Sequence, residues 1–513
     1  MSKNLYKTFK IKIKKANPYT KLIICILAFG IILRLVGGVN SILFTYDQAR
    51  DAIYSAGILH GQFKIVGPPS DVPGLFHGPL FYYIIAPAYI LAGGYPDLVY
   101  LELIAINILT AIPLFLLVKK LFQNDQAAVI SVLLFSISFE AVSYARWISN
   151  PALAIPAFAI VYLGLWMVIN KEKYGWLLLA VGAGVAIQSE IFLIYLLPFL
   201  VFCFLIYKVK YQPRGLVVLS TFFFLLLITS YFIAELKFHF QGANGLKSFL
   251  FSSFKGNSFN LANITNYYTR LSSLFSTNLV FDSKIISIIS SLAIFMVAAF
   301  SVFKNKYKKP LLFVYLIFFS SMSVFLISTF NSHFVTVGAT IPFLILTSYA
   351  VWRLTLTSKI LGYFAIFILI AANIMAILKY NKSGNILFQI QDGMIFGDEI
   401  KVIQETYGIA GNGRFSIDAV TNPLFNPTTW AYLYQIYANK NHLSTPFYHG
   451  NSDPAATGYN ILERSGEITK KEFTIIEPNL PEFWLKEILK FDDTRKSATR
   501  STKIGLFTVV VRE

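Results

Sequence analysis

The segment FTYDQARDAIYSAGILHGQ (44–62) sets Asp47, Arg50, Asp51 and Tyr54 at i, i+3, i+4 and i+7. On a helix these four side chains share one face. The face carries proton acceptors, a fixed anion-binding cation and a phenol within a single patch. Two readings follow from the residues alone: a working surface, or a solvated helix with Asp47 at its N-cap. A second segment, GPPSDVPGLFHGPLFYY (67–83), puts Pro, Gly and His77 between two amphipathic pieces, as an ordered loop at an interface would. His77 is either a ligand for phosphate or metal or a polar residue placed at the interface. Four further carboxylates, Glu102, Glu140, Glu190 and Glu235, fall within or at the ends of long apolar runs. Ionisable groups are costly there and tend to face a cavity.

The elements that must position these residues are membrane helices. Of 513 residues, 56% are hydrophobic and 14% charged, and Phe occurs 48 times. A soluble domain carries about a quarter charged residues. Apolar runs long enough to cross a bilayer recur over the first 380 positions. The expected spans are 22–41, 98–118, 127–145, 152–170, 176–189, 191–207, 215–236, 284–303, 310–329, 334–352 and 360–378, eleven crossings in all. The fifth and sixth are short, and 176–207 reads equally as one long tilted helix or a re-entrant pair.

Residues 1–379 hold 30 Lys and Arg against 11 Asp and Glu, while 380–513 hold 14 against 15, in keeping with the total of +18. The basic excess sits in short loops between apolar runs, which excludes a nucleic-acid binder and fits loops kept cytoplasmic beside anionic lipid. With 78–93 lying at the interface rather than spanning, the basic N-terminus and the loops at 119–120, 171–173, 208–214, 304–309 and 353–359 all face the cytoplasm. The loop 42–97, the loop 237–283, the turn at 331–333 and the C-terminus then face outward. The basic N-terminus followed by the first apolar run, with no small-residue cleavage pattern, reads as a signal anchor retained in a multi-pass cell-membrane protein.

The chain from 380 changes character. RFSIDAVT, EFTIIEP and IGLFTVVVRE alternate as strands do, while TTWAYLYQIYANK and PEFWLKEILKF read as amphipathic helices. The expected organisation is an all-α polytopic membrane domain at 1–379, with its chemistry in the loop 42–97, followed by a small extracytoplasmic α/β domain at 380–513. Cys25 and Cys203 both lie in apolar runs, so neither a disulfide framework nor a thiolate metal site is expected.

Taken together these motifs resemble the multi-spanning GT-C glycosyltransferases, and within them the protein O-mannosyltransferase and aminoarabinose-transferase group. FTYDQARDA is similar to that group's acidic first-loop motif, HGPLFYY to its Lys-Pro-Pro-Leu-Tyr segment, and LRL at 33–35 to an arginine common in its first helix. YARWISNPALA resembles the Arg-containing end of its third span, and HFVTVGATIP its late Arg/His-Tyr…Pro segment. The likeness covers about residues 20–380 in pattern. Gln48 stands where the family often has Glu, His77 where Lys is frequent and Asn150 where a second Asp often follows. The cofactor is therefore open: a divalent metal is compatible with the acidic loop and not required by it.

The resemblance implies a sugar donor on a polyprenyl or dolichyl phosphate and a protein, lipid or glycan acceptor whose hydroxyl inverts the anomeric carbon. Asp47 is the expected base, with Asp51 one turn away. Arg50, Arg146, His77 and His333 are the cations expected around the phosphate, and Tyr54 shares their surface. Arg34 is either a further cation or a snorkelling residue near a helix end. Gln188 and Glu190 line the sugar cavity, or Glu190 pairs structurally with an arginine. Two rival readings remain: a lipid-linked sugar flippase or transporter, which would show matching halves with broken helices, and an O-antigen-type polymerase or ligase, which would place its key residues in a large late outer loop. No symmetry of halves is visible, and the loop 237–283 has no acidic residue before Asp282.

Overall fold

The computed structural model describes residues 18–513 apart from 71, 192, 194–195, 210–213, 256–260, 305–306, 323–332, 383, 385–386, 388–390, 412, 465–468 and 485–497. The chain runs through α1 (Pro18–Leu35), α2 (Tyr46–Leu59), α3 (Leu80–Leu91), α4 (Asp97–Phe122), α5 (Asp125–Ile137), α6 (Phe139–Ala145) and α7 (Asn150–Ile169). It continues through α8 (Gly175–Ser189), α9 (Leu196–Ile206), α10 (Gly215–Lys237), α11 (Gln241–Lys255), α12 (Leu261–Asn278), α13 (Lys284–Phe303), α14 (Lys308–Met322), α15 (Thr336–Thr357) and α16 (Lys359–Tyr380).

Among the described residues seven of these helices are long and apolar enough to cross a membrane, and an eighth span results if α5 and α6 count as one. The protein is thus a multi-pass, mainly helical membrane protein, with fewer full-length spans than the eleven expected. The difference has local causes. The run 127–145 is bent by 58° at Ser138, whose backbone leaves the helical region while its hydroxyl caps the next helix at Ala141. The runs 176–189 and 191–207 form α8 and α9, apolar helices of 15 and 11 residues separated by a break. Neither alone spans a hydrocarbon core of about 30 Å. The run 310–329 is described as α14 only to Met322. The first span stops at Leu35 because Gly37 takes a positive φ of 86°, and a Cβ there would meet the Ser41 hydroxyl. Expected as an interfacial helix, 78–93 forms the 12-residue α3, which contains Pro87 and is about 18 Å long.

α7 and α15 are the most buried spans, and α10 is the least buried along its apolar length. Such exposure suits lipid, which solvates apolar side chains. At the bend Glu140 is buried, with Oε1 accepting from Thr340 Oγ1 at 3.0 Å and Oε2 from Thr277 Oγ1 at 2.8 Å and from the Asn278 amide. This carboxylate binds the broken helix to α12 and α15 through neutral donors.

The C-terminal sheet holds β1 (Ser416–Val420), β2 (Phe447–Tyr448), β3 (Glu472–Ile476), β4 (Ala498–Ile504) and β5 (Phe507–Arg512) in the order β2-β1-β3-β5-β4. β1 pairs in parallel with β2 and β3, and β5 is antiparallel to β3 and β4. The three expected strands are β1, β3 and β5, and TTWAYLYQIYANK lies in α18 (Thr428–Asn441), which follows α17 (Phe396–Ala410). Most of PEFWLKEILKF lies outside the described residues. The small domain is fastened to the connection between α1 and α2. Phe44 N–H donates to Met394 O at 3.2 Å, and Phe396 N–H to Ile42 O at 3.1 Å. Phe44 also packs on Phe396 and Tyr432, and the Tyr432 hydroxyl donates to Gly94 O at 2.5 Å. The sheet domain and the loop 42–97 therefore occupy the same end of the bundle.

Candidate functional site

α2 begins where the sequence supplies a capping box. Thr45 caps the first turn, and Gln48 Oε1 accepts from the Thr45 N–H at 2.9 Å. The Gln48 amide also donates to Ile148 O at 2.9 Å, a bond that a Glu at this position could not make. Gln48 thus anchors α2 to the loop after α6.

The helix face expected from the spacing is formed. Arg50 lies between the two carboxylates, with Nη1 at 2.6 Å from Asp47 Oδ1 and Nη2 and Nε at 2.7 and 2.9 Å from Asp51 Oδ1. The Asp51 side chain is 1% exposed and that of Asp47 21%. Burial pushes the Asp51 carboxyl up to about 6, with Arg50 pulling down and the Asp47 charge adding to the rise. Tyr54, a turn further on, stands edge-on to Tyr82 at 5.7 Å and shares a hydrogen bond of 3.2 Å with Thr457 Oγ1 of the sheet domain.

Arg50 and Tyr54 line a cavity of about 420 Å³ between α2, the loop 64–76 and the segments 423–428 and 453–457. Its wall includes residues the sequence reading missed: Tyr46, Lys64, Asn426, Thr428 and Asp453. The Lys64 ammonium sits 4.0 Å from the centre of the Tyr54 ring. One signal for Lys64 was available, because it is the single Lys or Arg between Arg50 and Lys119. The sheet-domain residues gave none, since only folding carries them more than 370 positions back to α2. Asp47 is not part of the wall; it adjoins the wall through Arg50.

Other candidates serve as supports. His77 is buried, and its Nδ1 accepts the Ile191 N–H at 3.1 Å. Burial, aided by the Arg50 charge, lowers its pKa to about 3. The ring is therefore neutral, and its 3.2 Å approach to Glu190 Oε1 is a contact between a neutral imidazole and a carboxyl group. His77 is a tether rather than the phosphate cation expected of it. Gln188 clamps the same loop: Oε1 accepts from Leu80 N–H at 3.3 Å, Nε2 donates to Leu227 O at 2.6 Å and Ser230 Oγ at 2.9 Å, and its carbonyl accepts from Gly78 N–H. A Cβ on Gly78 would lie 1.9 Å from Gln188 Oε1, so only glycine fits in HGPL. Asn150 joins the start of α7 to Ser189 O at the end of α8. Glu190, the C-cap of α8, lies buried against His77.

Arg146 departs from expectation as well. Its Nη1 donates to Arg34 O, Val36 O and the Tyr100 hydroxyl at 3.0, 2.6 and 2.8 Å, and its Nη2 to Ser41 Oγ at 2.6 Å and Asn381 O at 3.3 Å. Arg146 thus staples the end of α1 to Tyr100, Ser41 and Asn381, and it is not among the residues that line the cavity beside Arg50. Arg34 does not snorkel: it is fully buried and donates to Asn107, Gly30 and Ser136. The side chain of His333 lies outside the described residues. Among the described residues no group of three His, Cys, Asp or Glu side chains could hold a metal ion.

Residues 76–233 match the family described as dolichyl-phosphate-mannose-protein mannosyltransferase. Among solved structures, ArnT from Cupriavidus metallidurans bound to undecaprenyl phosphate aligns with a TM-score of 0.63 at 10% identity, over 96% of this chain and 98% of that one. The apo form of the same protein gives 0.60 at 11% identity with the same coverage. An oligosaccharyltransferase from Archaeoglobus fulgidus gives 0.47 at 12% identity, over 81% of this chain and 63% of that one. No curated protein sequence matches the chain.

Proposed function

From a chain that has the ArnT fold along nearly its whole length and resembles the GT-C glycosyltransferases, we propose a membrane glycosyltransferase that moves a sugar from a polyprenyl- or dolichyl-phosphate donor to an acceptor on the extracytoplasmic side. The observation that carries this reading is the cavity where the Asp47–Arg50–Asp51 face and Lys64 meet the sheet domain. It offers cations for a phosphate and a neighbouring carboxylate for a proton, at the end of an apolar bundle that could hold a lipid chain.

In the proposed step an acceptor hydroxyl attacks the anomeric carbon from the face opposite the lipid phosphate, so the new bond inverts that centre. The C–O bond to the phosphate breaks, and the phosphate leaves with the electron pair. Asp47, the more exposed carboxylate, takes the hydroxyl proton. Arg50 and Lys64 stabilise charge as it develops on the leaving phosphate. Asp51 is a positioning residue: it fixes the guanidinium by two bonds to one oxygen. His77 and Gln188 hold the loop that carries Lys64 and Phe76 against α8 and α10.

Membranes containing the full chain, incubated with radiolabelled polyprenyl-phosphate sugars, should move label from the lipid fraction into a protein, lipid or glycan fraction. Label that stays on the donor lipid, or appears across the bilayer still attached to it, would replace the transferase with a flippase.

A further inference from the structure

A second polar cavity lies at the opposite end of the bundle. α4 starts beside the sheet domain, where Tyr95 meets Phe396, and its 26 residues carry the chain about 39 Å away to Phe122. α7 likewise runs from Asn150, next to α8's outer end, to Ile169. Where these two spans finish beside the start of α14, a cavity of about 520 Å³ is lined by Lys120, Gln123, Trp166, Asn170, Glu172 and Lys309, among others.

Its two cations differ. Lys120 is paired with Glu172. Lys309 has neutral partners: its ammonium donates to Asn170 Oδ1 at 3.1 Å and lies 5.5 Å from the centre of the buried Trp166 ring. Lys171, Lys173 and Lys308 adjoin the lining residues Glu172 and Lys309 along the chain, while the acidic neighbours Asp125 and Glu172 are each already bound to a lysine. An anion placed here therefore meets net positive charge, with Gln123 and Asn170 as neutral donors.

The cavity also adjoins lipid-facing surface. Leu116, one helical turn from Lys120, is 41% exposed, and Leu312, one turn from Lys309, is 40% exposed. A ligand whose charged head touches the lysines could lay an apolar tail over both leucines. A basic pocket between spans with an interfacial Trp is the setting in which lipid headgroups are held.

We propose that this cavity binds the phosphate headgroup of an anionic phospholipid, with Lys309 and Lys120 on the phosphate and the acyl chains along Leu116 and Leu312. The site lies at the far end of the bundle from the cavity proposed for sugar transfer, and the two stand or fall separately.

The test uses the purified full chain in a neutral detergent, titrated with phosphatidylglycerol, phosphatidylcholine or glycerol 3-phosphate and read by native mass spectrometry. Phosphatidylglycerol should bind in preference to phosphatidylcholine. Each lysine should contribute about fivefold, so K309Q should weaken phosphatidylglycerol about fivefold and K120Q/K309Q more. K173Q/K304Q, which removes the same charge outside the cavity, should change binding less than twofold. K309Q keeps the Lys120–Glu172 pair, so its result holds even if the double variant folds poorly. Equal retention of the two lipids, equal loss in the control pair, or displacement of the lipid by equimolar glycerol 3-phosphate would each overturn the site.

Discussion

Arg50 and Arg146 are both buried guanidinium groups near the same end of the bundle, and their surroundings give them different work. Arg50 is balanced by two carboxylates and borders a cavity. Arg146 has five oxygen acceptors that are carbonyls or hydroxyls. Acceptors at the end of a helix carry partial negative charge, so they satisfy an arginine while leaving no exchangeable partner. A cation whose partner is a carboxylate beside open space can redistribute when a phosphate arrives. One wrapped in backbone carbonyls can only hold the chain in place.

This contrast breaks first at Asp47. D47N keeps an oxygen acceptor for Arg50 but removes the proton acceptor. It should slow transfer by about 10² to 10⁴ with expression and donor binding retained, measured as turnover per folded protein. A near-normal rate in D47N alongside an inactive D51N would move the base to Asp51.

R146Q should act the other way. It leaves the carbonyl of Val36 short of a donor and leaves that of Arg34 with the Tyr100 hydroxyl alone, at about 1–3 kcal/mol for an orphaned buried acceptor. The melting temperature in detergent should fall clearly, while the protein that remains folded keeps its KM for donor. If R146Q retains the wild-type melting temperature but raises donor KM steeply, Arg146 belongs to the phosphate site after all.

K64Q sharpens the comparison on the cavity side. Losing one charge-assisted contact to phosphate corresponds to about tenfold weaker donor binding. Donor KM should rise by that factor with the melting temperature unchanged, and an unaltered KM would remove Lys64 from the site.

The smallest effect concerns pH. Burial raises Asp51 to about 6, so between about pH 4 and 6 the folded protein binds that proton more tightly than an unfolded chain with its carboxyl near 4. The Asp51 contribution therefore favours folding below about pH 4 and is lost as pH rises to about 6. The melting temperature of wild type relative to D51N should decline across that window. A difference that stays flat would mean that Asp51 is not raised.

The sequence by itself determined what depends on neighbours along the chain. Helical spacing put Asp47, Arg50, Asp51 and Tyr54 on one face, and local apolar runs located the long spans. Alternation marked β1, β3 and β5, and the shortness of 78–93 marked α3. These features rest on backbone periodicity and on transfer of side chains to lipid or to a sheet core, both readable within a few turns. Only the tertiary structure decided the rest. Whether Arg146 would meet a phosphate or the end of α1 depended on Arg34, Val36 and Asn381, the last 235 positions away. His77 lost its expected charge because folding buried it beside Ile191 and Arg50. Tyr54 acquired Thr457 as a partner across 403 positions. Burial and long-range contact set the charge and the hydrogen-bond partners of these polar groups, and neither is present until the spans have packed and the sheet domain has closed over α2.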